Sequence, residues 1–416
     1  MNRFVYSALL TLVLPFVPLK LWWRGMQQPA YLKYWPERFG FYTTPVSKPI
    51  IWLHCVSVGE TRAAEPLIMQ LQTTYPKHQI LLTHGTPTGR EAGEALFGDD
   101  IMRAYLPYDL PFAVNRFLNH FKPDIGLIME TELWFNLIAA CKQNNMPLLL
   151  LNARLSEKSA KGYIKLGKLA REGIQNLTAI AAQTSDDAAR LQNLGAININ
   201  VAGNLKFDVK PPADSVEKGL QLKKQLGDRP IFLAASTRDG EEALILDAVR
   251  GLNLLTIIVP RHPQRFNAVA AILDQNDIAY KRKTLLNNTA LEANIYVVLG
   301  DSMGEMPIYY AACDFAFIGG SLLPFGGQNL IEATNMGKPV LVGEHTFNFA
   351  DASKDAVQAG AAMRVKNSIE LRDKIEFLLN NIPVRIQMQQ AALAFSEAST
   401  GATTRTMALI KKYLIS

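Results

Sequence analysis

The chain has 416 residues, a length that suits two domains of about 200 residues each better than one. Its composition, 49% hydrophobic and 19% charged, is that of a folded globular protein and excludes intrinsic disorder. The net charge of +6 is uneven, because residues 1–48 hold six basic side chains and one acid, which leaves the remainder almost neutral. This distribution argues against nucleic-acid binding, which needs basic residues spread over one groove or face.

The first predicted element is an apolar run, Phe4–Leu19, that contains two prolines. It is shorter than the roughly 20 apolar residues of a comfortable transmembrane helix. Trp22, Trp23 and Arg24 follow it, as is typical of a membrane interface. The pattern predicts an uncleaved membrane anchor over residues 1–24, either tilted across the bilayer or within one leaflet, with the rest of the chain cytoplasmic. A buried core helix and a signal peptide are the alternatives, although no A-x-A-like cleavage site follows.

From Ile50 onward, short apolar strands alternate with amphipathic helical stretches of 10–15 residues. Continuous apolar runs of this length are typical of parallel strands buried on both faces, so the pattern predicts an α/β protein made of two doubly wound, Rossmann-like domains. Two prolines and polar flanks in Gly203–Asp214 mark the boundary between them. The predicted strands are Ile50–His54, Ile80–Thr83, Ala104–Pro107, Ile125–Met129, Leu148–Leu151, Ile180–Ala182, Ile231–Ala235, Thr256–Val259, Ile295–Val298, Phe315–Ile318 and Val340–Val342.

The first strand ends in His-Cys-Val-Ser-Val-Gly-Glu, which places Glu60 in a strand-to-helix turn. A carboxylate at the carboxyl edge of a parallel sheet faces the ligand crevice, where a general base is needed. Glu60 equally suits the N-terminus of the helix that begins near Thr61, through the helix dipole. Both interpretations stay open at this point.

Two more acids, Glu130 and Glu132, follow the strand Ile125–Met129, and a pair of acids at a strand end favours function over capping. Arg154 follows the next strand and either binds an anionic substrate group or pairs with one of these acids. Lys206 lies in the predicted linker within Gly-Asn-Leu-Lys-Phe-Asp, where a lysine is either solvated or functional.

The stretch 315–338 predicts a nucleotide or nucleotide-sugar site in the second half of the chain. An apolar strand runs into Gly319, Gly320, Gly326 and Gly327, and a predicted helix begins near Gln328 and contains Glu332. Backbone N–H groups and a helix N-terminus favour an anion, and the glycines allow its close approach. The carboxylate suits sugar hydroxyl groups rather than phosphate.

Three other turns of the second half are compatible with an anionic ligand. They are Ser236–Arg238, Arg261 between two prolines, and the Gly-Asp-Ser-Met-Gly-Glu-Met segment at 300–306. The sequence has no Walker phosphate loop, no G-x-G-x-x-G after the first strand and no D-x-D pair, and its six histidines lack metal-ligand spacing. Three widely spaced cysteines indicate neither a disulfide framework nor a zinc knuckle. We therefore expect chemistry without a metal or cofactor.

Taken together, these motifs resemble the 3-deoxy-D-manno-octulosonic acid (Kdo) transferases, which move Kdo from CMP-Kdo to the lipid A precursor. Two positions depart from the family pattern: Phe135 stands where a proline is expected, and the turn at 234–238 is less glycine-rich, which makes a nucleotide contact by Arg238 doubtful. The matching segments are RFGFY (38–42), HCVSVGE, METELW, NARLS, GNLKFD, PRHPQRF, GDSMGEM and GGSLLPFGGQNLIEA.

The resemblance implies a GT-B fold, with two Rossmann-like domains facing a central cleft, and an inverting, metal-independent transfer in lipopolysaccharide biosynthesis. It implies Glu60 as the base that deprotonates the acceptor hydroxyl, and Glu130 and Lys206 as stabilisers of the transition state. The residues implied to hold CMP are Pro260, Arg261, Met303, Gly304, Glu305, Asn329, Leu330, Ile331 and Glu332.

On this interpretation the chain divides into an anchor (1–24), an acceptor-binding domain (25–205), a linker (206–214) and a CMP-sugar-binding domain (215–416). The expected partners are CMP-Kdo, the lipid A precursor and the bacterial inner membrane, with no nucleic acid and no cofactor. Two other functions remain open: a sugar-nucleotide 2-epimerase of the same architecture, which would be soluble, and a non-catalytic basic protein of the membrane surface.

Overall fold

The computed structural model describes residues 1–287 and 289–414. The chain forms two compact units, of which the first comprises residues 1–209 and 400–416 and the second residues 210–399. Each unit contains one seven-stranded parallel sheet with helices between its strands, which confirms the predicted fold class.

The sheet of the first unit has the strand order β3-β2-β1-β4-β5-β6-β7. Alternate residues of β1 enter two separate apolar clusters, so both faces of this sheet are buried. The strands are β1 (Ile50–Cys55), β2 (Gln79–His84), β3 (Met102–Tyr105), β4 (Ile125–Met129), β5 (Leu148–Ala153), β6 (Ala179–Ala182) and β7 (Ile199–Val201). The helices are α1 (Arg3–Val13), α2 (Val17–Gln27), α3 (Val58–Thr74), α4 (Pro87–Phe97), α5 (Pro111–Phe121), α6 (Phe135–Gln143), α7 (Glu157–Leu166), α8 (Lys168–Gln175) and α9 (Ser185–Asn193).

The sheet of the second unit has the order β10-β11-β9-β8-β12-β13-β14. Its strands are β8 (Ile231–Thr237), β9 (Leu255–Pro260), β10 (Tyr280–Arg282), β11 (Val297–Leu299), β12 (Phe315–Ile318), β13 (Val340–Val342) and β14 (Ala362–Arg364). Its helices are α10 (Ser215–Leu226), α11 (Glu241–Val249), α12 (Phe266–Gln275), α13 (Met306–Ala312), α14 (Ile331–Asn335), α15 (Ala350–Gln358), α16 (Ser368–Asn380) and α17 (Ile382–Ser399). The last helix of the chain, α18 (Ala402–Ile410), belongs to the first unit.

The order of the strands reverses once in each sheet, between β1 and β4 in the first unit and between β8 and β12 in the second. At such a point the loops after the two central strands diverge and leave a crevice that binds ligands in open α/β sheets. The segments that follow these four strands contain Glu60, Glu130, Arg238 and the glycines of 319–327. The topology therefore brings the motifs of each half to the switch point of its own sheet.

Three edge strands, β7, β10 and β14, were not predicted. Each has only three residues, and most of their side chains are exposed or partly exposed, so none forms a continuous apolar run. The predicted strands Ala104–Pro107 and Ile295–Val298 are shifted by about two residues from β3 and β11.

The compact units differ from the predicted domain boundaries at two places. Helices α1 and α2, which contain most of the predicted anchor 1–24, are grouped with the first unit. The predicted linker, 206–214, starts too early, because Leu205–Asp208 forms a 3-10 helix of the first unit. The predicted C-terminal domain, 215–416, extends too far, because Asp208 accepts hydrogen bonds from the backbone N–H groups of Gly401 (2.7 Å) and Thr403 (2.5 Å) at the start of α18.

The N-terminal helical segment is apolar along most of its length. Within the described residues one segment, Arg3–Met26, is long and apolar enough to cross a membrane by length and composition alone. A 3-10 turn at Leu14–Phe16 separates α1 from α2 at the prolines. The exposed large side chains are Phe4, Val5, Leu9, Leu12, Val13, Phe16, Leu19, Trp22, Trp23 and Met26.

Candidate active site

Glu60 lies in the first turn of α3, directly after β1, and is 8% exposed. Ser57 is the N-cap of α3, and its hydroxyl accepts from the Glu60 N–H at 3.3 Å while donating to Glu60 Oε1 at 2.8 Å. The Val56 N–H donates to Glu60 Oε2 at 2.8 Å. These contacts resemble a capping box, except that the carboxylate accepts from the N–H of Val56, one residue before the N-cap, so the helix-terminus interpretation of Glu60 holds. The capping contacts also fix the carboxylate at the switch point, as a general base requires.

The surroundings of Glu60 hold its proton unusually tightly. Burial raises the pKa of Glu60 from 4.5 to about 7, and the negative charge of Glu130 adds to the effect. The hydrogen bonds from Val56 and Ser57 act in the opposite direction because they stabilise the charged form. A carboxyl group that titrates near neutral pH can both take up and release a proton at that pH.

Glu130 and Lys206 form an ion pair, with Lys206 Nζ 3.0 Å from Glu130 Oε1. Lys206 is therefore not a solvated linker residue. Asn152, which is buried at the end of β5, accepts from the Leu205 N–H at 3.0 Å and so holds the lysine's segment beside β4. Glu130 has a φ of +56°, a left-handed conformation that costs a non-glycine residue about 1–2 kcal/mol. The hydrogen bond from the Glu130 N–H to Leu151 O, at 2.9 Å, helps to hold the backbone in this conformation.

The neighbours of this pair complete the loop after β4. Glu132 is partly buried, and burial raises its pKa. Thr131 donates a hydrogen bond to the backbone carbonyl of Arg154, which ties this loop to the end of β5. Glu60, Glu130, Glu132 and Lys206 are thus brought together, as expected for residues that follow β1, β4 and β7.

In the second unit, the backbone N–H groups of the glycine loop after β12 were predicted to bind an anion, but several of them already have partners within the protein. Glu241, fully buried at the start of α11, accepts from Gly320 N–H at 2.6 Å and Leu322 N–H at 3.0 Å. The N–H groups of Gly319, Gly327 and Gln328 donate to backbone carbonyls. These five donors are occupied inside the protein, so the loop is shaped by an internal carboxylate rather than kept open for a phosphate.

Close backbone packing explains the glycine at 319. A Cβ atom there would lie 2.5 Å from the Ser236 carbonyl oxygen, so the two loops of the switch point touch through their main chains. The helix predicted from Gln328 begins only at Ile331, because Gln328 bonds back to Gly319 and Asn329 Oδ1 accepts from the Ile331 N–H at 3.1 Å. Glu332 therefore lies in the first turn of α14 and accepts from Asn329 Nδ2 at 3.1 Å.

The turns after β8 and β9 meet around Arg238. Its Nη1 lies 2.9 Å from His262 Nε2, and its guanidinium lies over the Phe325 ring at 4.9 Å. Burial together with Arg238 and Arg261 lowers the pKa of His262. Pro260 ends β9, and the exposed Arg261 follows it with its N–H bonded to Thr237 O at 3.0 Å. A cationic surface next to the glycine loop results.

The turn between β11 and α13 contains Met303, Gly304 and Glu305. Met303 is exposed, and Gly304 has a φ of +81°. Glu305 forms an ion pair with Lys283, whose Nζ is 2.6 Å and 2.7 Å from the two carboxylate oxygens. Burial opposes ionisation of Glu305, but the hydrogen bonds from Lys283 and Ser302 hold its pKa below its usual value. Leu330 and Ile331 are fully buried, so only their backbone atoms can reach a ligand.

Several residues that shape these sites were not identified from the sequence. Glu242 accepts from Thr237 and from Arg265, each at 2.8 Å, and so connects the turn after β8 to the segment before α12. Two adjacent acids after the Ser-Thr-Arg turn were a signal for buried carboxylates at a helix start. No comparable signal marked Asn152 or Lys283, whose partners are distant in sequence.

Comparisons with known proteins identify the family. Residues 33–209 match the family described as 3-deoxy-D-manno-octulosonic-acid transferase (kdotransferase), and residues 246–394 match glycosyl transferases group 1. The chain is 41% identical to the 3-deoxy-D-manno-octulosonic acid transferase of Bordetella pertussis, over 100% of both chains. This chain belongs to the Kdo transferase family. It is 38% identical to the transferase of Haemophilus influenzae, over 100% of this chain and 99% of that one.

The structural comparison shows the fold. UDP-GlcNAc 2-epimerase from Neisseria meningitidis bound to UDP-GlcNAc superimposes with a TM-score of 0.61 at 16% identity, covering 87% of this chain and 100% of that chain. The predicted family and GT-B fold are confirmed, and the chain is a glycosyltransferase.

The raised pKa of Glu60 predicts a pH-dependent gain in stability for Glu60→Gln. Because the folded Kdo transferase binds this proton more tightly than the unfolded chain, the stability that the protonated carboxyl contributes is lost as the pH rises through about 7. Gln keeps the capping geometry without ionising. At pH 8 we expect the variant to be about 2–3 kcal/mol more stable than the wild type, and at pH 5 much closer to it.

Urea unfolding at both pH values measures this difference. Glu91→Gln, which changes an exposed carboxylate on α4, serves as the control and leaves the pH dependence unchanged. A Glu60→Gln variant that is no more stable than the wild type at pH 8 contradicts the raised pKa.

Proposed function

We propose that the protein transfers Kdo from CMP-Kdo to the lipid A precursor in an inverting reaction, with Glu60 as the general base. One observation carries this proposal: a buried carboxylate with a pKa of about 7 lies at the switch point of the first sheet, oriented by two hydrogen bonds. An acceptor hydroxyl has to lose its proton as it attacks, and a carboxylate with this proton affinity is suited to accept it.

In the proposed mechanism, the residues around Glu60 adjust its basicity and its position. Val56 N–H and Ser57 Oγ hold the two carboxylate oxygens, so one lone pair on each remains for the acceptor. The Glu130 charge raises the proton affinity of Glu60, while the Lys206 ammonium pairs with Glu130 and limits the negative charge of the loop. Within the first unit, Lys206 also provides a cation that can stabilise negative charge developing in the transition state.

For CMP we propose the residues that follow β9, β11 and β12. Arg261 and the turn at Asn329 provide donors for the phosphate, which gains negative charge as the glycosidic bond breaks; one prealigned donor contributes about 3 kcal/mol in comparable sites. Pro260, Met303 and Gly304 line the base and ribose. Glu305 and Glu332 accept from ribose hydroxyls, and the backbone of Leu330 and Ile331 completes the site. Lys283 keeps Glu305 ionised for this role.

The rate of Kdo transfer by the Glu60→Gln variant tests whether Glu60 is the general base. The amide cannot accept the proton, so we expect turnover to fall by about 10²–10⁴ while CMP binding is retained. In the wild type, activity should fall as the pH decreases through about 7, because protonated Glu60 is inactive. Incubation with CMP-Kdo and a tetraacylated lipid A precursor, followed by mass spectrometry, measures turnover, and calorimetry measures CMP binding.

Glu65→Gln is the matched control, since Glu65 lies on α3 outside the Val56–Ser57–Glu60 cluster. It should keep wild-type turnover. Near-normal transfer by Glu60→Gln would show that another group takes the proton.

We also propose that the transfer needs no metal ion. In the second unit, the cationic side chain of Arg261 provides positive charge for the phosphate of an anionic donor. We expect Kdo transfer in excess EDTA to proceed at the rate measured without it. Loss of activity that added Mg²⁺ or Zn²⁺ restores would overturn this part of the proposal.

The N-terminal segment is proposed to hold the enzyme at the cytoplasmic face of the inner membrane, where a lipid acceptor resides. Trp22 and Trp23 are more than half exposed, and Lys20 and Arg24 flank them. Aromatic and basic side chains in this arrangement favour an anionic lipid surface.

Replacing both tryptophans by serine should weaken binding to vesicles that contain phosphatidylglycerol, by about tenfold for each apolar side chain lost. Sedimentation with the vesicles measures binding. Ile369→Ser, which removes an exposed apolar side chain from the second unit, is the control and should bind like the wild type. Equal binding of all three proteins would argue against membrane attachment through this segment.

A further inference from the structure

The N-terminal helix α1 is hydrogen-bonded to the interior of the first unit. The Tyr6 hydroxyl donates to Asp109 Oδ2 at 2.9 Å. The Ser7 hydroxyl oxygen lies 2.9 Å from both Asn136 Oδ1 and Arg3 O, which share its one proton. The Tyr6 ring also meets the Phe135 ring edge-on, with centroids 5.3 Å apart. An apolar membrane anchor has no need of such polar contacts, so α1 has a second role within the unit.

Asp109 receives these contacts and caps a different helix. It is 4% exposed and lies just before α5. Its two carboxylate oxygens accept from the backbone N–H groups of Asn136 (3.0 Å) and Leu137 (2.8 Å), in the first turn of α6. The residue at the N-cap position of α6, Trp134, makes no side-chain capping bond. Asp109 therefore supplies from another part of the chain the cap that α6 lacks.

The electrostatics of this contact depend on Tyr6. Burial raises the pKa of Asp109, and the N–H groups of Asn136 and Leu137 and the Tyr6 hydroxyl oppose that effect by stabilising the carboxylate. Without the phenol, the buried charge of Asp109 would lose one of its hydrogen bonds.

The helix that Asp109 caps begins directly after the loop of Glu130 and Glu132. This loop is fixed at one end by the pairing of Glu130 N–H with Leu151 O. At its other end it enters α6 at Phe135, where α1 and Asp109 make their contacts. The position of Glu130 relative to Glu60 therefore depends on both ends of the loop being held.

We propose that Tyr6 and Asp109 are positioning residues, which couple the seating of the N-terminal helix to the geometry of the Glu130–Glu132 loop at the active site. This inference rests on the proposed role of Glu60 and goes beyond it. It assigns to α1 an effect on the reaction that is independent of holding the enzyme at a membrane.

Three variants distinguish the effect of α1 on the active-site loop from its role in membrane attachment. They are Tyr6→Phe, Ser7→Ala and Thr11→Val. Phenylalanine keeps the ring contact with Phe135 and removes only the hydroxyl that Asp109 accepts from. Thr11→Val is the matched control, because the Thr11 hydroxyl donates to Ser7 O within α1 itself. All proteins are assayed with acceptor and enzyme solubilised in detergent, so that membrane attachment does not limit the rate.

We expect Tyr6→Phe to lower kcat about tenfold, a change of the size expected when a residue acts on a site through an intervening element. The KM for CMP-Kdo should not change. The groups that set the acid limb of the pH profile are Glu60 itself and the facing charges of Glu130, Glu132 and Lys206. A loosened loop admits water and moves the Glu130 charge away, so the limb should shift to lower pH. Ser7→Ala should show a smaller shift and Thr11→Val none.

Hydrogen exchange provides a readout that does not depend on transfer. The amides of Asn136 and Leu137 should exchange faster in Tyr6→Phe than in the wild type or in Thr11→Val. If the wild type transfers Kdo while Tyr6→Phe keeps both its pH profile and its slow exchange, the coupling is wrong. If the wild type fails to transfer Kdo, the proposed function is wrong. Hydrogen exchange still tests the coupling in that case, because unchanged exchange at these amides in Tyr6→Phe would contradict it.

Discussion

A carboxyl group that is withdrawn from water keeps its proton to higher pH, because the charged form loses more solvation than the neutral form. Glu60 meets this condition at the carboxyl end of β1, where the reversal of strand order opens the first sheet. Val56 and Ser57 hold the group in place without cancelling the effect of burial. The pKa of Glu60 therefore depends on the strand that precedes it, on the cap of α3 and on the position of Glu130.

Carboxylates that are buried or partly buried also hold the loops of both units in place. Glu241 accepts from the N–H groups of Arg238, Gly320 and Leu322, and so fixes the two loops of the second switch point to each other. Asp109 does the same for the start of α6, and Asp208 for the start of α18. In each case one acidic side chain satisfies backbone donors of a segment distant in sequence, where an unsatisfied buried donor would cost about 1–3 kcal/mol. The shape of the loops around both sites thus depends on internal ion–dipole contacts.

Features that depend on neighbouring residues could be predicted from the sequence, and those that depend on distant partners could not. The central strands β1, β4, β8 and β12 follow from continuous apolar runs, because both of their faces are buried. The two roles considered for Glu60, general base and helix-terminus residue, could also be predicted, since its capping partner Ser57 lies only three residues away. By contrast, Glu241 is 79 residues from Gly320, so a glycine-rich loop looked open for a phosphate when its donors were already occupied. For the same reason the sequence left Lys206 open between a solvated and a functional role, since Glu130, its partner, is 76 residues away.

The chain returns to its first unit at its very end, because α18 packs there and Asp208 caps it. During synthesis the ribosome therefore has to complete the whole second unit before the last helix of the first one exists. At 5–20 residues per second the delay is about 10–40 s, a period in which Ala202, Leu205 and their neighbours lack the apolar cover of Met407 and Ile410. The first unit is the first to be made and the last to be finished, and the newborn chain carries an uncovered apolar surface in the meantime.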